Sequence, residues 1–265
     1  MLAPSEAARL LAWYVAMGAD EAIVEVAIDR LSRAAPAVTP AAPSLAAPPS
    51  THPATVAPIP AASAAESGAR RIAAAARSLA ELAAAVAAFE GCALKRTATN
   101  TVFADGIAGA PLMVIGEAPG ADEDRLGRPF VGRSGQLLDR MLAAIGYERG
   151  RNAYISNVLF WRPPGNRKPT ADEIAACLPF VWRHIALAAP KVVLLCGGTA
   201  TSALLGRPEG ITRLRGRWLE LAIDGGAPVP SLATYHPSFL LRAPARKGEA
   251  WHDLLALQSK LNDSQ

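Results

Sequence analysis

The distribution of apolar positions changes along the chain. From residue 111 onward, short apolar runs of strand length alternate with longer segments in which apolar residues recur at helical spacing. The strand-like runs cover residues 112–115, 153–157, 192–195 and 231–234, and the helical segments cover 135–145, 170–187, 199–205 and the end of the chain from about 248. Strands that alternate with helices predict a parallel sheet with helices on both faces. We therefore expect an α/β fold, a three-layer sandwich with a central, mainly parallel four-stranded sheet.

The first third of the chain has a different composition. Residues 1–33 contain two short stretches with apolar residues at helical spacing, which predict an N-terminal helical extension. Residues 34–66 hold eight prolines among alanine, serine and threonine without an apolar period, so we expect a disordered linker. Helical composition returns from 66 to 90, and Gly91 is expected to end that helix. The sequence thus predicts a folded domain over 67–265 and leaves the extension as a candidate surface for an unidentified partner protein.

Charge and cysteine content narrow the class of protein. Lysine and arginine number 27 and aspartate and glutamate 23, and the net charge of +4 is compatible with a polyanionic partner. The three widely spaced cysteines argue against a secreted disulfide framework. We see neither a signal-peptide pattern nor an apolar run of membrane-spanning length. We expect a cytoplasmic protein.

Glycine-rich turns follow the first predicted strand. In residues 116–120, Gly116 lets the backbone approach a ligand, and Glu117 can hold a water or face a developing cation; the alternative is that Glu117 only caps the next segment. Phe130 lies in a second glycine-rich loop, 127–135, which lacks the spacing of a nucleotide-binding Walker loop. Stacking of a planar base on Phe130 is the favoured interpretation. A buried core phenylalanine and a nucleotide-binding enzyme remain as alternatives.

Two further polar residues stand at strand ends. Asn157 ends the second strand, and its carboxamide can pair with the N3–H and O4 of uracil; the alternative is a turn residue. His236, before Pro237, follows the fourth strand and can donate to a base carbonyl on which negative charge develops; the alternative is a structural histidine. The carboxyl ends of parallel strands meet at one edge of a sheet. We therefore expect Glu117, Phe130, Asn157 and His236 to form one pocket.

Basic side chains accompany these motifs. Arg133 in the glycine-rich loop, and Arg162 and Arg167 in a proline-stiffened loop, are predicted to contact DNA phosphates, although a solvated surface loop would look similar. Leu240 followed by Arg242 fits an apolar wedge that replaces a flipped base beside a cation that holds the strand. The alternative is the start of an ordinary amphipathic helix.

Together, residues 116–120, 127–135, Asn157 with 162–167, and 236–238 resemble the motif set of the family 4 uracil-DNA glycosylases. The resemblance covers roughly residues 89–262. It implies an enzyme that flips uracil out of DNA and hydrolyses the N-glycosidic bond, which leaves an abasic site and initiates base excision repair. Uracil-containing DNA is the partner that it implies, and we expect a monomer that associates with the nucleoid when it binds DNA.

The resemblance also assigns roles to single residues. Glu117 and His236 are the implied catalytic residues, with His236 stabilising the departing uracil anion. Phe130 would stack on uracil and Asn157 would read its edge, while Leu240 takes the place of the intercalating leucine. In the related family 1 enzymes an aspartate stands where this chain has Ala118. The group that activates water therefore stays open between Glu117 and backbone or substrate groups.

The chain departs from the family at its metal site. Family 4 enzymes resemble one another in holding an iron–sulfur cluster with four cysteines, and the matching positions here are Phe89, Cys92, Trp161 and Cys177. Neither Phe89 nor Trp161 can replace a thiolate. We therefore expect no metal and no cofactor, with the two aromatic side chains filling the space. Because of this departure, one alternative stays open: the protein is a non-catalytic DNA-binding member of the same superfamily.

Overall fold

The computed structural model describes residues 64–207, 209–223 and 226–263. Its strands are β1 (Asp105–Gly106), β2 (Leu112–Gly116), β3 (Ala153–Asn157), β4 (Val192–Cys196), β5 (Trp218–Leu221) and β6 (Val229–Thr234). Its helices are α1 (Ala64–Ala75), α2 (Leu79–Ala88), α3 (Ala121–Leu126), α4 (Arg133–Ala143), α5 (Ala171–Ala188), α6 (Gly198–Leu205), α7 (Ile211–Leu214), α8 (Pro237–Arg242) and α9 (Lys247–Asp263). Single 3₁₀ turns cover Ala93–Arg96, Pro164–Asn166 and Pro244–Arg246.

The N-terminal segments predicted from the sequence fall mainly outside these ranges. The helical extension, 1–33, and the linker up to residue 63 lie outside the described residues and stay predictions. The last three residues assigned to the linker, 64–66, instead form the first turn of α1. The folded domain therefore begins slightly earlier than the composition indicates.

The sheet has the strand order β1-β3-β2-β4-β6-β5. The four central strands, β3, β2, β4 and β6, are parallel and are the four that the apolar runs predict. The α/β class and the mainly parallel sheet are thus confirmed. Two antiparallel edge strands, β1 and β5, extend the sheet to six. The sequence pattern missed them because β1 has only two residues and β5 is partly exposed.

Helices cover both faces of the sheet. Met113 and Ile115 of β2 pack into a core shared with α1, α2, α5 and α6, whereas Leu112 and Val114 face a second core with α4 and α9. Because side chains alternate along a strand, both sets are buried only if the sheet lies between two helical layers. This burial on both faces explains why β2 and β4 carry no polar side chain.

The helical segment predicted over 66–90 is two helices. Ser78 separates α1 from α2: its Oγ accepts a hydrogen bond from the backbone N–H of Glu81 at 3.1 Å. The Glu81 carboxylate in turn accepts one from the backbone N–H of Arg77 at 2.8 Å. A serine that accepts from the N–H three residues on starts a new helix, since it satisfies a donor that has no partner inside the helix. The single-helix prediction is therefore wrong at this point.

The longest helix, α5, begins with a capping box. Thr170 Oγ1 accepts from the backbone N–H of Glu173 at 3.2 Å, and the Glu173 carboxylate accepts from the backbone N–H of Thr170 at 2.8 Å. The helix then packs against α1 through its buried stripe. Neither α5 nor another helix in the described ranges is long and apolar enough to cross a membrane.

The strand register aligns the carboxyl ends of the central strands. Gly116 pairs with Asn157 across β2 and β3, and Cys196 pairs with Thr234 across β4 and β6. The chain places β3 on one side of β2 and β4 on the other. In α/β sheets such a reversal of strand order opens a crevice beyond the carboxyl ends of the strands.

Candidate active site

A cavity of about 470 Å³ opens at this edge of the sheet. Glu117 after β2, Asn157 at the end of β3, Gly197 after β4 and His236 after β6 all line it, together with Phe130 from the loop between α3 and α4. The structure thus brings together the four side chains that the sequence singled out. Residues from four strand ends share one crevice because their strands end at the same level.

Phe130 and Asn157 meet over the backbone of Gly116. A Cβ atom on Gly116 would lie 2.4 Å from Phe130 Cζ and 2.5 Å from Asn157 Oδ1, so no side chain fits there. Phe130 is 4% exposed and Asn157 2%. Among the residues that the structure describes, none hydrogen-bonds to the Asn157 carboxamide, which leaves its donor and acceptor for a ligand. An aromatic face and a carboxamide held side by side suit the recognition of a planar base.

The Phe130 loop is joined to the turn after β2 by Glu123, a residue that the sequence analysis missed. One carboxylate oxygen of Glu123 accepts from the backbone N–H groups of Val131 and Gly132, both at 2.9 Å. The other accepts from the N–H of Gly120 at 3.0 Å. The signal for this role is the spacing: Glu123 stands at the third position of α3, where a glutamate reaches back to the N-cap.

His236 is oriented by its own backbone turn. Its Nδ1 lies 3.1 Å from the backbone N of Ser238 and 2.8 Å from Ser238 Oγ. A backbone N–H can only donate, so Nδ1 accepts and the proton of the neutral ring is on Nε2. The ring stacks against Phe130 with centroids 5.4 Å apart and planes at 27°. A Cβ on Gly197, whose φ is +94°, would meet His236 Cβ at 3.0 Å.

The environment of His236 keeps its imidazole neutral. Burial, aided by the nearby positive charge of Arg242 and opposed by the Glu123 carboxylate, lowers the pKa of His236 to about 4. At neutral pH the residue therefore carries no charge. It presents Nε2–H as a hydrogen-bond donor.

Glu117 is held by a threonine from a distant part of the chain. Thr199 Oγ1, in the first turn of α6, donates to the Glu117 carboxylate. The backbone carbonyl of Glu117 accepts from the N–H of Leu159 at 3.0 Å, which anchors the turn itself. The carboxylate therefore has a fixed direction at the cavity wall, and the sequence pattern gave no sign of Thr199.

Two of the predicted DNA-contacting arginines lie at the cavity. Arg167 and Arg242 line it, and Lys168 joins them. Arg167 also forms a bidentate ion pair with Glu173, at 2.6 and 2.9 Å, which ties the loop to α5. Arg162 bonds Asn166 Oδ1 at 2.8 Å, and Arg133 is exposed at the start of α4. Arg133 and Arg162 do not line the cavity.

Leu240 requires a correction. It is 1% exposed and packs with Leu137 and Tyr235 in a hydrophobic cluster between α4, α8 and α9. A side chain so buried cannot act as an exposed wedge, and in this structure Leu240 is a core residue. Its neighbours Phe239 and Leu241 are the partly exposed apolar side chains of α8.

The four positions that match the family's cluster ligands lie in one buried core. Phe89, Cys92, Trp161 and Cys177 are between 0 and 6% exposed. Phe89 packs edge-on against Phe180 at 5.0 Å, and Trp161 Nε1 donates to Thr101 Oγ1 at 3.0 Å. Within the described ranges no group of three or more His, Cys, Asp or Glu side chains could hold a metal ion. The residues present do not fit a cluster with four thiolate ligands.

The two remaining cysteines contact each other. A side-chain hydrogen bond joins Cys92 and Cys177, and both thiols are free of a disulfide. This hydrogen bond, together with burial, raises the pKa of Cys177 well above its usual value. The thiol pair is part of the apolar core.

The sequence of this chain matches a known superfamily. The profile described as the uracil DNA glycosylase superfamily matches residues 103–255, which is more than half of the chain. The chain belongs to the uracil DNA glycosylase superfamily. The matched range contains Glu117, Phe130, Asn157 and His236.

Individual relatives within the superfamily are type-4 enzymes. The type-4 uracil-DNA glycosylase of Pyrobaculum aerophilum is 39% identical over 167 residues, which is 62% of this chain and 84% of that protein. The type-4 enzyme of Thermotoga maritima is 42% identical over 155 residues, 57% of this chain and 77% of the relative. For that of Archaeoglobus fulgidus the identity is 38% over 162 residues, 60% and 80% of the two chains. The family resemblance inferred from the motifs is confirmed.

Proposed function

We propose that this protein is a uracil-DNA glycosylase that hydrolyses the bond between uracil and deoxyribose in DNA. The observation that carries the proposal is that three groups line one cavity: the Phe130 ring, the Asn157 carboxamide, which has no hydrogen-bond partner among the described residues, and the neutral His236 donor. The superfamily membership and the type-4 relatives support the same activity.

Base recognition rests on Phe130 and Asn157. A uracil flipped out of the helix would stack on the Phe130 ring, and the Asn157 carboxamide would pair with its N3–H and O4. Cytosine has an acceptor at N3 and a donor at C4, so the same carboxamide orientation does not fit it. Gly116 allows the base to approach, because any side chain there would collide with both groups.

The leaving group is stabilised by His236. As the glycosidic bond breaks, uracil takes the bonding electrons and negative charge grows on its O2 and O4 oxygens. The Nε2–H of His236 donates to that oxyanion, and the Ser238 N–H on Nδ1 fixes the direction of the donor before the reaction begins. Because the imidazole is neutral, it stabilises the anion as a hydrogen-bond donor through Nε2–H and does not transfer a proton.

Glu117 acts on the sugar side of the reaction. Thr199 fixes its carboxylate at the cavity wall, where a negative charge stabilises the cation-like deoxyribose and orients the water that attacks C1′. The water gives its hydroxyl to C1′ and its proton ends on the departing uracil anion, so the products are free uracil and an abasic site. No cofactor enters this balance.

DNA is held by the basic residues around the cavity. Arg167, Lys168 and Arg242 line it and provide phosphate contacts at its mouth. Arg133 and Arg162 lie outside the cavity wall and would contact the strand further from the flipped base. The Glu173 partner of Arg167 keeps this loop in place.

Cleavage of an end-labelled oligonucleotide with one uracil tests the activity. Alkali breaks the strand at an abasic site, so we expect a single break after incubation with the full chain and none with a thymine control. His236→Ala should slow the reaction about 100-fold, as loss of one oxyanion donor does, with DNA binding retained. No break at any enzyme excess, with DNA bound, would instead support the non-catalytic DNA-binding member.

We also propose that the protein folds and acts without an iron–sulfur cluster. Phe89 and Trp161 occupy two of the four ligand positions and are buried in the core beside Cys92 and Cys177. Iron analysis and the visible spectrum of anaerobically purified protein test this. We expect less than stoichiometric iron and no broad band at roughly 400 nm, where such clusters absorb. Four iron atoms per chain would contradict the proposal.

A further inference from the structure

The aromatic platform of the cavity rests on an unusual backbone. Phe130 has φ of +53°, in the left-handed region that bulky residues rarely adopt. The following helix approaches this backbone so closely that a Cβ on Gly135 would lie 1.8 Å from the Phe130 carbonyl oxygen. Such a conformation persists only where surrounding contacts hold it.

Arg149 provides those contacts. Its Nη2 donates to the carbonyl oxygen of Phe130 at 2.6 Å, and its Nη1 donates to that of Pro129 at 3.0 Å. One guanidinium therefore hydrogen-bonds to two consecutive carbonyl oxygens of the loop. A lysine could not do this, since its single ammonium lacks the planar fork.

Two carboxylates fix the guanidinium in turn. Asp105 in β1 accepts from Nη1 at 2.7 Å, and Asp139 in α4 accepts from Nε at 3.0 Å and from Nη2 at 2.9 Å. The Arg149 side chain is only 17% exposed. Burial alone would raise the pKa of Asp105, but hydrogen bonds from Arg128 and Arg149 hold it below its usual value. The carboxylate therefore stays charged and keeps Arg149 in place.

We propose that Arg149 is a positioning residue for base recognition: by clamping the Pro129 and Phe130 carbonyls it sets the plane of the Phe130 ring against Gly116 and Asn157. The inference rests on the proposed function, because it assumes that uracil stacks on Phe130. Arg149 does not line the cavity, so its effect reaches uracil only through the loop. Its loss should weaken the binding of the free base as well as the excision of uracil from DNA.

Arg128 offers a matched control. It donates to the same Asp105 oxygen, at 2.8 Å, but its side chain is 57% exposed and hydrogen-bonds to neither carbonyl of the loop. Arg128→Met therefore removes a cation from Asp105 while the clamp stays intact. Because an exposed arginine could also contact DNA, the readout is the inhibition constant of free uracil rather than the affinity for DNA.

The experiment measures inhibition by free uracil and the melting temperature for the full chain and its variants. Arg149→Met should raise the uracil inhibition constant about tenfold, the size expected when charge-assisted hydrogen bonds to a loop are lost. Arg149→Lys should recover only part of the affinity for uracil that Arg149→Met loses. The inhibition constant of Arg128→Met should stay within about twofold of that of the unaltered chain. Phe130→Leu removes the aromatic ring itself and shows how far the inhibition constant rises when uracil has no ring to stack on.

The outcomes separate the clamp from the pocket. An Arg149→Met constant within about twofold of the unaltered chain, while Phe130→Leu raises it, would overturn the clamp and leave the proposed function standing. An unchanged constant in Phe130→Leu would refute uracil stacking on Phe130, and with it the clamp, whereas strand cleavage at uracil tests the glycosylase activity separately. If Arg149→Met does not fold, Asp139→Leu replaces it: this variant removes the half-exposed acceptor of Arg149 Nε and Nη2, and no change in its inhibition constant would overturn the clamp.

Discussion

Acidification offers a direct test of the His236 donor. Burial, aided by Arg242, lowers the pKa of this imidazole from the usual 6.5 to about 4. A shift of this size favours the neutral ring by about 3 kcal/mol. At pH 5.5 a histidine with the usual pKa would be about 90% protonated, whereas His236 should be about 3% protonated.

Protonation would also disturb the geometry of the site. A proton on Nδ1 would point at the backbone N–H of Ser238, which now donates to that nitrogen. Two facing donors repel, so the turn that orients the ring would open. We therefore expect uracil excision to keep its rate down to about pH 5 and to fall as the pH approaches 4, provided that circular dichroism shows a folded chain throughout.

The assay follows the ring itself by long-range proton–nitrogen NMR on protein labelled at its four histidines. His236 should appear as the Nε2–H tautomer at pH 7 and start to titrate only below about pH 5. His236→Gln assigns the signal. A midpoint near 6.5, or a proton on Nδ1, would refute the reasoning.

Two further outcomes follow from the site and the core. Asn157→Asp replaces the amide donor by an acceptor and should shift excision from uracil towards cytosine; competition between oligonucleotides carrying either base measures this, and an unchanged preference would remove Asn157 from base recognition. His184 is buried with its Nε2 2.9 Å from the Tyr154 hydroxyl, and burial lowers its pKa to about 3. Between pH 6.5 and 3, His184 is therefore protonated in the unfolded chain but not in the folded one, and the free energy of unfolding decreases as the pH falls through that window. Urea denaturation measures the free energy of unfolding at pH 7 and at pH 5. Between these values we expect it to fall by about 2 kcal/mol less in His184→Gln than in the unaltered chain. Equal decreases would show that His184 does not cause this pH dependence.

The sequence predicted the centre of the fold better than its edges. The bounds of β3 were predicted without error, because its buried run is mainly apolar and β-branched or aromatic and stands out from its surroundings. The two-residue strand β1 carries no such signal. In the alanine-rich segment before residue 90, the helix break at Ser78 was hidden because alanine favours a helix on both sides.

The candidate site shows a similar division. Glu117, Asn157 and His236 could be predicted because each follows a recognisable strand, and parallel strands end at one edge. Thr199 could not, since it lies 82 residues from Glu117 and only the folded sheet brings the two together. Leu240 was assigned as a wedge from the family likeness, and the sequence did not show that this side chain packs in a buried cluster.

The central claim is that this cavity releases uracil from DNA. Chromatography of the supernatant after incubating the full chain with a uracil-containing oligonucleotide measures the product itself, and the same samples give the fraction of DNA bound. We expect one free uracil for each abasic site, and none from an oligonucleotide with cytosine in its place. DNA that is bound at enzyme excess with no uracil released would contradict the account.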